Sequence, residues 1–120
     1  EYKKYYDEML LFLLKTEKPI FVVLSTDDIT NQNRNEIIKA RNESAKALAQ
    51  KYNLPVIDLH TVAINNGECH IPDGVHFNAM GYELLAKCIL ESISKNLRLK
   101  IQLFFCKRLI ETALFSEKGN

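Results

Sequence analysis

The sequence has no tryptophan and is poor in glycine, proline and cysteine, with four, three and three residues among 120. An odd number of widely spaced cysteines does not build the disulfide framework of a small secreted domain. A reducing, cytoplasmic location is therefore the simpler expectation, and export stays open only if a signal sequence precedes Glu1. No apolar run approaches the ~18 residues that a bilayer-crossing helix needs, so we predict no membrane span. The formal net charge of +1 argues against a nucleic-acid partner.

What remains is the composition of a globular domain. Hydrophobic residues make up 47% of the chain and charged residues 26%, which are near the averages for folded proteins. A length of 120 residues is enough for one domain with a modest core.

Apolar patterns divide the chain into alternating helices and strands. Residues 2–16 repeat apolar side chains at helical spacing. Residues 20–24 form a continuous apolar run rich in β-branched side chains, which predicts a strand over about 20–25 that is covered on both faces. A long helical pattern follows over about 31–52, and a second strand over about 55–59. Strand, long helix and strand form a βαβ unit, which predicts an α/β fold with two parallel strands and a right-handed crossover.

The second half of the chain is less regular. Residues 60–72 show no strong period and follow a parallel strand, so they predict a long functional loop. Asn78 is placed to cap a further helix. In the tail, residues 97–103 alternate apolar and polar side chains as a strand would, whereas 104–115 have a more helical pattern. We therefore treat 97–120 as an atypical tail whose structure, strand or helix, the pattern leaves open.

The segment DGVHFNAMGYELLAKC, residues 73–88, contains the strongest candidate for chemistry. In hydrolysis by an activated serine, a histidine takes the hydroxyl proton and a carboxylate orients the imidazole. Asp73 and His76 lie three residues apart, so one turn can hold both groups, and Gly74 lets the backbone bend between them. The alternative is a polar turn with an exposed His76, and for an isolated Asp-x-x-His this alternative is the commoner one.

The wording of two segments, DGVHFNAMGYELLAKCI and ARNESAKALAQKYNLPVIDLHTVA, resembles the SGNH, or GDSL-like, hydrolases, which include lysophospholipase-like and acylesterase-like enzymes. The resemblance covers roughly residues 1–95. It implies that residues 1–96 are the carboxyl-terminal part of a flavodoxin-like three-layer α/β/α domain. It also implies cofactor-free hydrolysis of esters, such as acyl or acetyl groups on lipids or sugars, without a metal. On this resemblance His76 is the general base and Asp73 its orienting acid.

One part of the family pattern is missing. The nucleophile of these hydrolases lies in a Gly-Asp-Ser block, and no serine here follows a Gly-Asp pair. The resemblance thus predicts that the chain begins after the third conserved block, lacks a nucleophile and is inactive by itself. Ser25 ends the first strand, but the acidic residues beside it would repel an oxyanion, so we expect a structural role. We expect structural roles as well for Ser44, Ser92 and Ser94, and for Asp58, which is placed to bind loop amides.

Two other classes of function stay open. The first is a metal-binding loop, because five residues of ligand type lie close together in sequence: His60, Cys69, His70, Asp73 and His76. Their spacing matches no compact zinc motif, so this is the lower alternative. The second is a noncatalytic interaction or oligomerisation fragment. A two-stranded sheet is marginal alone, and its open edge invites a homodimer or pairing with an amino-terminal half-domain.

Overall fold

Helices and two short strands alternate along the chain in the computed structural model, which describes residues 1–118. Among these residues the elements are α1 (Tyr2–Leu14), β1 (Val22–Val23), α2 (Gln32–Lys51), β2 (Val56–Ile57), α3 (Leu59–Asn65) and α4 (Ala79–Lys118). A 3-10 turn at Gly67–Cys69 lies between α3 and α4. The predicted α/β organisation is confirmed.

The two strands pair in parallel, as predicted, with Val22 opposite Val56 and Val23 opposite Ile57. They are shorter than predicted because side chains take over the backbone hydrogen bonds at their ends. Asn42 binds both backbone groups of Ser25 just beyond β1, and Asp58 caps α3 directly after β2.

One face of β1 is buried and the other is exposed. The buried face forms a core with α1 and α2, whose buried members are Leu10, Val22, Leu24, Ala45, Leu48 and Ala49. Val23 lies on the opposite face of β1 and is 46% exposed, although its register partner Ile57 is 1% exposed. The expectation of a strand covered on both faces is therefore wrong within residues 1–118, although the apolar run itself is a strand.

A second small core lies under the segment with the candidate chemistry. It consists of Ala63 from α3, Cys69 from the 3-10 turn, Phe77 and Leu85 from α4. Gly81 allows α4 to approach closely, because a Cβ there would lie 2.8 Å from Phe77 and 2.9 Å from Cys69. The predicted loop over 60–72 is thus wrong for much of its length. Asp58 starts a helix there, and Ala63 and Cys69 are held by packing that a local pattern does not show.

Residues 1–89 form one compact unit, and the residues from Leu90 onward form another. In the second unit every described residue is helical, so the strand interpretation of 97–103 is wrong and the helical interpretation of 104–115 is confirmed. The reason is that no glycine or proline occurs between Tyr82 and Lys118, and Leu, Lys, Arg and Gln are good helix formers. The last two residues of the predicted tail lie outside the described part.

The part of α4 that lies in the tail, residues 97–118 and called the tail helix below, exposes many apolar side chains. Its large exposed apolar side chains are Leu97, Leu99, Ile101, Leu103, Phe104, Phe105, Leu109, Ile110, Leu114 and Phe115. Even so, none of the helices in residues 1–118 combines the length and hydrophobicity that a membrane crossing requires.

Candidate active site

Asp73 and His76 lie at the tip of a small hairpin that leads into α4. The stem of the hairpin pairs His70 with Phe77 in antiparallel fashion. The amide of Ile71 donates to the carbonyl of His76 at 3.0 Å, and the amide of Asn78 donates to the carbonyl of Cys69 at 2.8 Å. As predicted, Asn78 caps α4, its side chain accepting from the amide of Gly81 at 2.9 Å. The hairpin is therefore held at both its stem and its exit into the helix.

The tip of this hairpin is fastened to the loop after β1. The amide of Ile29 donates to the carbonyl of Gly74 at 3.0 Å. Gly74 has a φ of +76°, and a Cβ there would lie 2.3 Å from Cγ2 of Thr30. Both the backbone conformation and the close approach require glycine.

Asp28 in turn orders the loop after β1. Its Oδ1 accepts from the amide of Thr30 at 2.9 Å and from its hydroxyl at 2.7 Å, and Oδ2 lies 3.2 Å from Nη1 of Arg34. The bonds from Thr30, aided by Arg34, lower the pKa of this carboxyl. Because the loop follows β1, it places the hairpin near the carboxyl ends of the parallel strands, where open α/β sheets place their sites.

The carboxylate of Asp73 uses both oxygens to order the turn. Its Oδ1 accepts from the amides of Val75 and His76, each at 2.9 Å, and Oδ2 lies 2.5 Å from Nδ1 of His76. The amide of His76, then its ring, then the amide of Val75 lower the pKa of Asp73 to about 2. An ionised carboxylate can only accept, so Nδ1 of His76 carries the proton in this contact.

This contact determines what the imidazole can do. With Nδ1 protonated, the neutral ring presents a bare Nε2 as a proton acceptor. The side chain of His76 is 65% exposed and that of Asp73 is 44% exposed, so Nε2 is open to a reactant. A ring in this arrangement can accept a proton from a hydroxyl while the carboxylate holds its orientation.

The other polar residues near the strand ends have structural contacts. Asp58 accepts from the amide of Thr61 at 2.9 Å and from its hydroxyl at 2.8 Å, so it caps helix α3 rather than binding loop amides as predicted. Burial raises the pKa of Asp58, but these bonds outweigh it and the net pKa is lowered. Ser25 is exposed at the end of β1, where its carbonyl lies 3.0 Å from Nδ1 of His60. Within residues 1–118 no hydrogen bond joins the hydroxyl of Ser25 to His76.

The five residues considered for a metal centre are not brought together. No group of three or more His, Cys, Asp or Glu side chains within residues 1–118 is arranged to hold an ion. Cys69 packs in the small core, His60 faces a backbone carbonyl, and His70 faces Asp27. Each of these three side chains thus has its own contact within the protein.

Two buried residues beside the hairpin, Asp27 and His70, were not recognised as a pair from the sequence. They lie 43 positions apart in the sequence. Only their residue types could have pointed to a pair. From the sequence, the acidic residues beside Ser25 were expected to repel an oxyanion, and His70 was considered as a ligand in a metal-binding loop.

Comparison with known proteins points to one group of enzymes. The profile of the family described as GDSL-like Lipase/Acylhydrolase matches residues 1–89. An acetylxylan esterase from Xylanibacter ruminicola is 38% identical over 58 residues, which are 48% of this chain and 11% of that protein. The crystal structure of a lipolytic protein of the G-D-S-L family from Veillonella parvula superposes with a TM-score of 0.63 at 26% identity. That match covers 74% of this chain and 52% of the Veillonella chain. The chain thus spans about half of the solved relative and about a tenth of the esterase.

Proposed function

The chain belongs to the GDSL-like lipase/acylhydrolase family, and on this premise we propose that it supplies the acid–base half of a site that hydrolyses carboxylic esters. His76 is the general base and Asp73 is the acid that orients it. No Gly-Asp-Ser block occurs in these 120 residues, so the serine nucleophile comes from a different polypeptide segment.

The chemistry follows from the tautomer of His76. Nε2 accepts the proton of the serine hydroxyl while the serine oxygen bonds to the acyl carbon of the ester. The resulting imidazolium then gives this proton to the departing alkoxide, which leaves an acyl-serine. Water hydrolyses the acyl-serine by the same sequence, with Nε2 again taking the proton. Asp73 stays ionised throughout and stabilises the imidazolium.

The observation that supports this role best is the contact of 2.5 Å between Oδ2 of Asp73 and Nδ1 of His76. A simple polar turn needs only the two amide bonds to Oδ1. The second oxygen bonds to an exposed ring, which costs side-chain entropy and returns little stability at the surface. Such an arrangement fits a positioned base better than a structural turn.

The substrate class is inferred from the relatives. The protein that is 38% identical over 58 residues is named an acetylxylan esterase, so acetyl esters of carbohydrates are the first substrates to test. The Veillonella protein is described as lipolytic, which makes longer acyl esters the comparison.

The role of His76 can be tested in the chain itself by ¹⁵N NMR of the imidazole. We expect the neutral ring to carry its proton on Nδ1. In Asp73→Asn the amide can donate to Nδ1, and we expect the ring to shift toward the Nε2-protonated tautomer. Asp58→Asn is the matched control and should leave His76 unchanged. A wild-type ring that is protonated mainly on Nε2 would contradict the proposal.

A fluorophosphonate probe tests for the nucleophile. We expect no labelling of this chain that depends on His76, because these 120 residues contain no Gly-Asp-Ser block. Labelling that His76→Ala abolishes would show a resident nucleophile. When the chain is joined to a segment with a Gly-Asp-Ser block, hydrolysis of p-nitrophenyl acetate should fall roughly 10³–10⁴-fold in His76→Ala. An equal rate in that variant would remove His76 from the mechanism.

Association with a partner is a second candidate, supported by the ten large exposed apolar side chains of the tail helix. Patches of this kind mark interaction sites or aggregation-prone surfaces. We expect a dimer or larger species in light scattering. A stable monomer that melts cooperatively would count against this function.

A further inference from the structure

His70 lies in the stem of the hairpin, opposite Phe77, and its side chain is completely buried. Its ring packs on the ring of Phe77 with centroids 4.4 Å apart. Nδ1 lies 3.0 Å from the carbonyl oxygen of Gly67, and Nε2 lies 3.0 Å from Oδ1 of Asp27. The side chain of Asp27 is 11% exposed, so both members of this pair are withdrawn from water.

The contacts of His70 determine where its protons are. A backbone carbonyl only accepts, so Nδ1 must carry a proton. A neutral ring would then place an unprotonated Nε2 3.0 Å from a carboxylate oxygen. Neither atom has a hydrogen-bond partner among the described residues. Two buried acceptor atoms at this distance repel, and a proton on Nε2 would replace the repulsion with attraction between imidazolium and carboxylate.

Other charged groups around the pair are engaged elsewhere. Asp28 faces Thr30 and Arg34, and Asp73 faces His76. Nε2 of His70 and Oδ1 of Asp27 lie within ion-pair distance but form no hydrogen bond of standard geometry. Attraction between opposite charges depends on distance and only weakly on angle, so an ion pair would still hold the two groups together.

We propose that His70 is a positioning residue for the Asp73–His76 pair, acting as a buried imidazolium held against Asp27. Asp27 belongs to the loop after β1, which also binds Gly74 through Ile29. The hairpin is thereby fastened to that loop at its stem as well as at its tip. His70 sets the position of Phe77, the residue next to His76. The inference rests on the proposed function only for the chemical role of Asp73 and His76; the positioning itself does not depend on that role.

The first test is the protonation of His70 in the intact chain at neutral pH. We expect both ring nitrogens to give the ¹⁵N shifts of protonated nitrogen. In Asp27→Asn the amide can donate to Nε2, so we expect a neutral ring with a bare Nε2 and an unchanged hairpin. The matched control, Asp58→Asn, removes a carboxylate elsewhere near the strand ends and should leave His70 doubly protonated. A bare Nε2 in the wild-type chain would overturn the proposal.

The second test separates positioning from folding. Asp27→Leu leaves a buried imidazolium without a partner, which should raise the ratio of unfolded to folded chain by roughly 10²–10³-fold. In the molecules that stay folded, we expect altered shifts for the amide of Gly74 and the ring of His76, and Asp27→Asn should restore both. If Asp27→Leu leaves these signals unchanged, the pair does not position the hairpin. If Asp27→Leu does not fold, the proposal is decided by the first test, which compares the protonation of His70 in the wild-type chain and in Asp27→Asn.

These outcomes are distinct from failure of the proposed function. A His76 ring with the wrong tautomer would remove the hydrolytic role but would not alter the protonation of His70. Conversely, a neutral His70 would leave the Asp73–His76 contact intact.

Discussion

Replacing Gly74 with alanine tests whether the site depends on one close contact between two loops. Gly74 has a φ of +76°, a region that costs an alanine about 1–2 kcal/mol. The new Cβ would also lie 2.3 Å from Cγ2 of Thr30, against an ordinary contact of about 3.5–4.0 Å. Thr30 cannot turn away without loss, since its hydroxyl is bonded to Asp28 at 2.7 Å.

The expected cost is the sum of a backbone part and a steric part. Relief of such overpacking adds about 1–3 kcal/mol, so Gly74→Ala should lower the free energy of unfolding by about 2–5 kcal/mol. For a folded unit of this size, each kcal/mol lowers the melting temperature by about 4–8 °C. We therefore expect the melting temperature, followed by circular dichroism, to fall by about 8–40 °C.

Two further variants separate the parts. Thr30→Ser removes Cγ2 but keeps Oγ1 and Cβ, which would lie 2.9 and 3.0 Å from the new Cβ. The double variant with Gly74→Ala should therefore recover only the part of the steric loss caused by Cγ2 and none of the backbone loss. Gly67→Ala is the matched control, because a Cβ there meets nothing within 4 Å, and we expect a change within about 0.5 kcal/mol. If Gly74→Ala is as mild as this control, the turn does not need glycine and the close approach of the two loops is refuted.

Three other predictions concern the residues around the site. Asp73 has a pKa of about 2 in the folded chain against an ordinary 3.8. Its ionised form therefore stabilises the fold above about pH 4, and this contribution is lost as the pH falls through 2. ¹³C NMR of the carboxyl should show a titration midpoint near 2, and a midpoint near 4 would contradict the hydrogen bonds from the turn to Asp73. Asn42→Ala should cost about 1–3 kcal/mol in urea denaturation, because the amide and the carbonyl of Ser25 both lose their 2.9 Å hydrogen bonds to the buried Asn42 side chain. Asn33→Ala, exposed on the same helix, should change little, and equal losses would refute the role of Asn42. Asp58→Ala removes the side-chain cap of α3 and should cost about 1 kcal/mol of stability in thermal denaturation, whereas Asp58→Asn should be nearly neutral. A large loss of stability in both variants would point to a role beyond capping.

Local patterns were sufficient for the long helices, the parallel strands and the candidate chemical pair. The repeat of Ala45, Leu48 and Ala49 identifies the buried side of α2, and the structure buries these same residues. Asp73 and His76 could be paired from sequence because three residues separate them, so one turn brings them into contact.

Interactions between distant segments could not be predicted from local sequence patterns. The region 60–72 is mostly helical because Ala63 and Cys69 pack against Phe77 and Leu85. No periodic pattern within 60–72 indicates this packing. The alternation over 97–103 fits a strand as well as a helix, and only the lack of a breaker after Gly81 decides for the helix.

By itself, then, the sequence determined the order of helices and strands, their parallel pairing and the carboxylate that faces the histidine. These depend on neighbours within a few positions or on the period of apolar side chains. The tertiary structure alone decided how the hairpin is held: Thr30 against Gly74, Asn42 on Ser25, and His70 against Asp27. The physical reason is that burial brings together polar groups from separate segments, and only there does each have to satisfy the charge and hydrogen-bonding needs of the other.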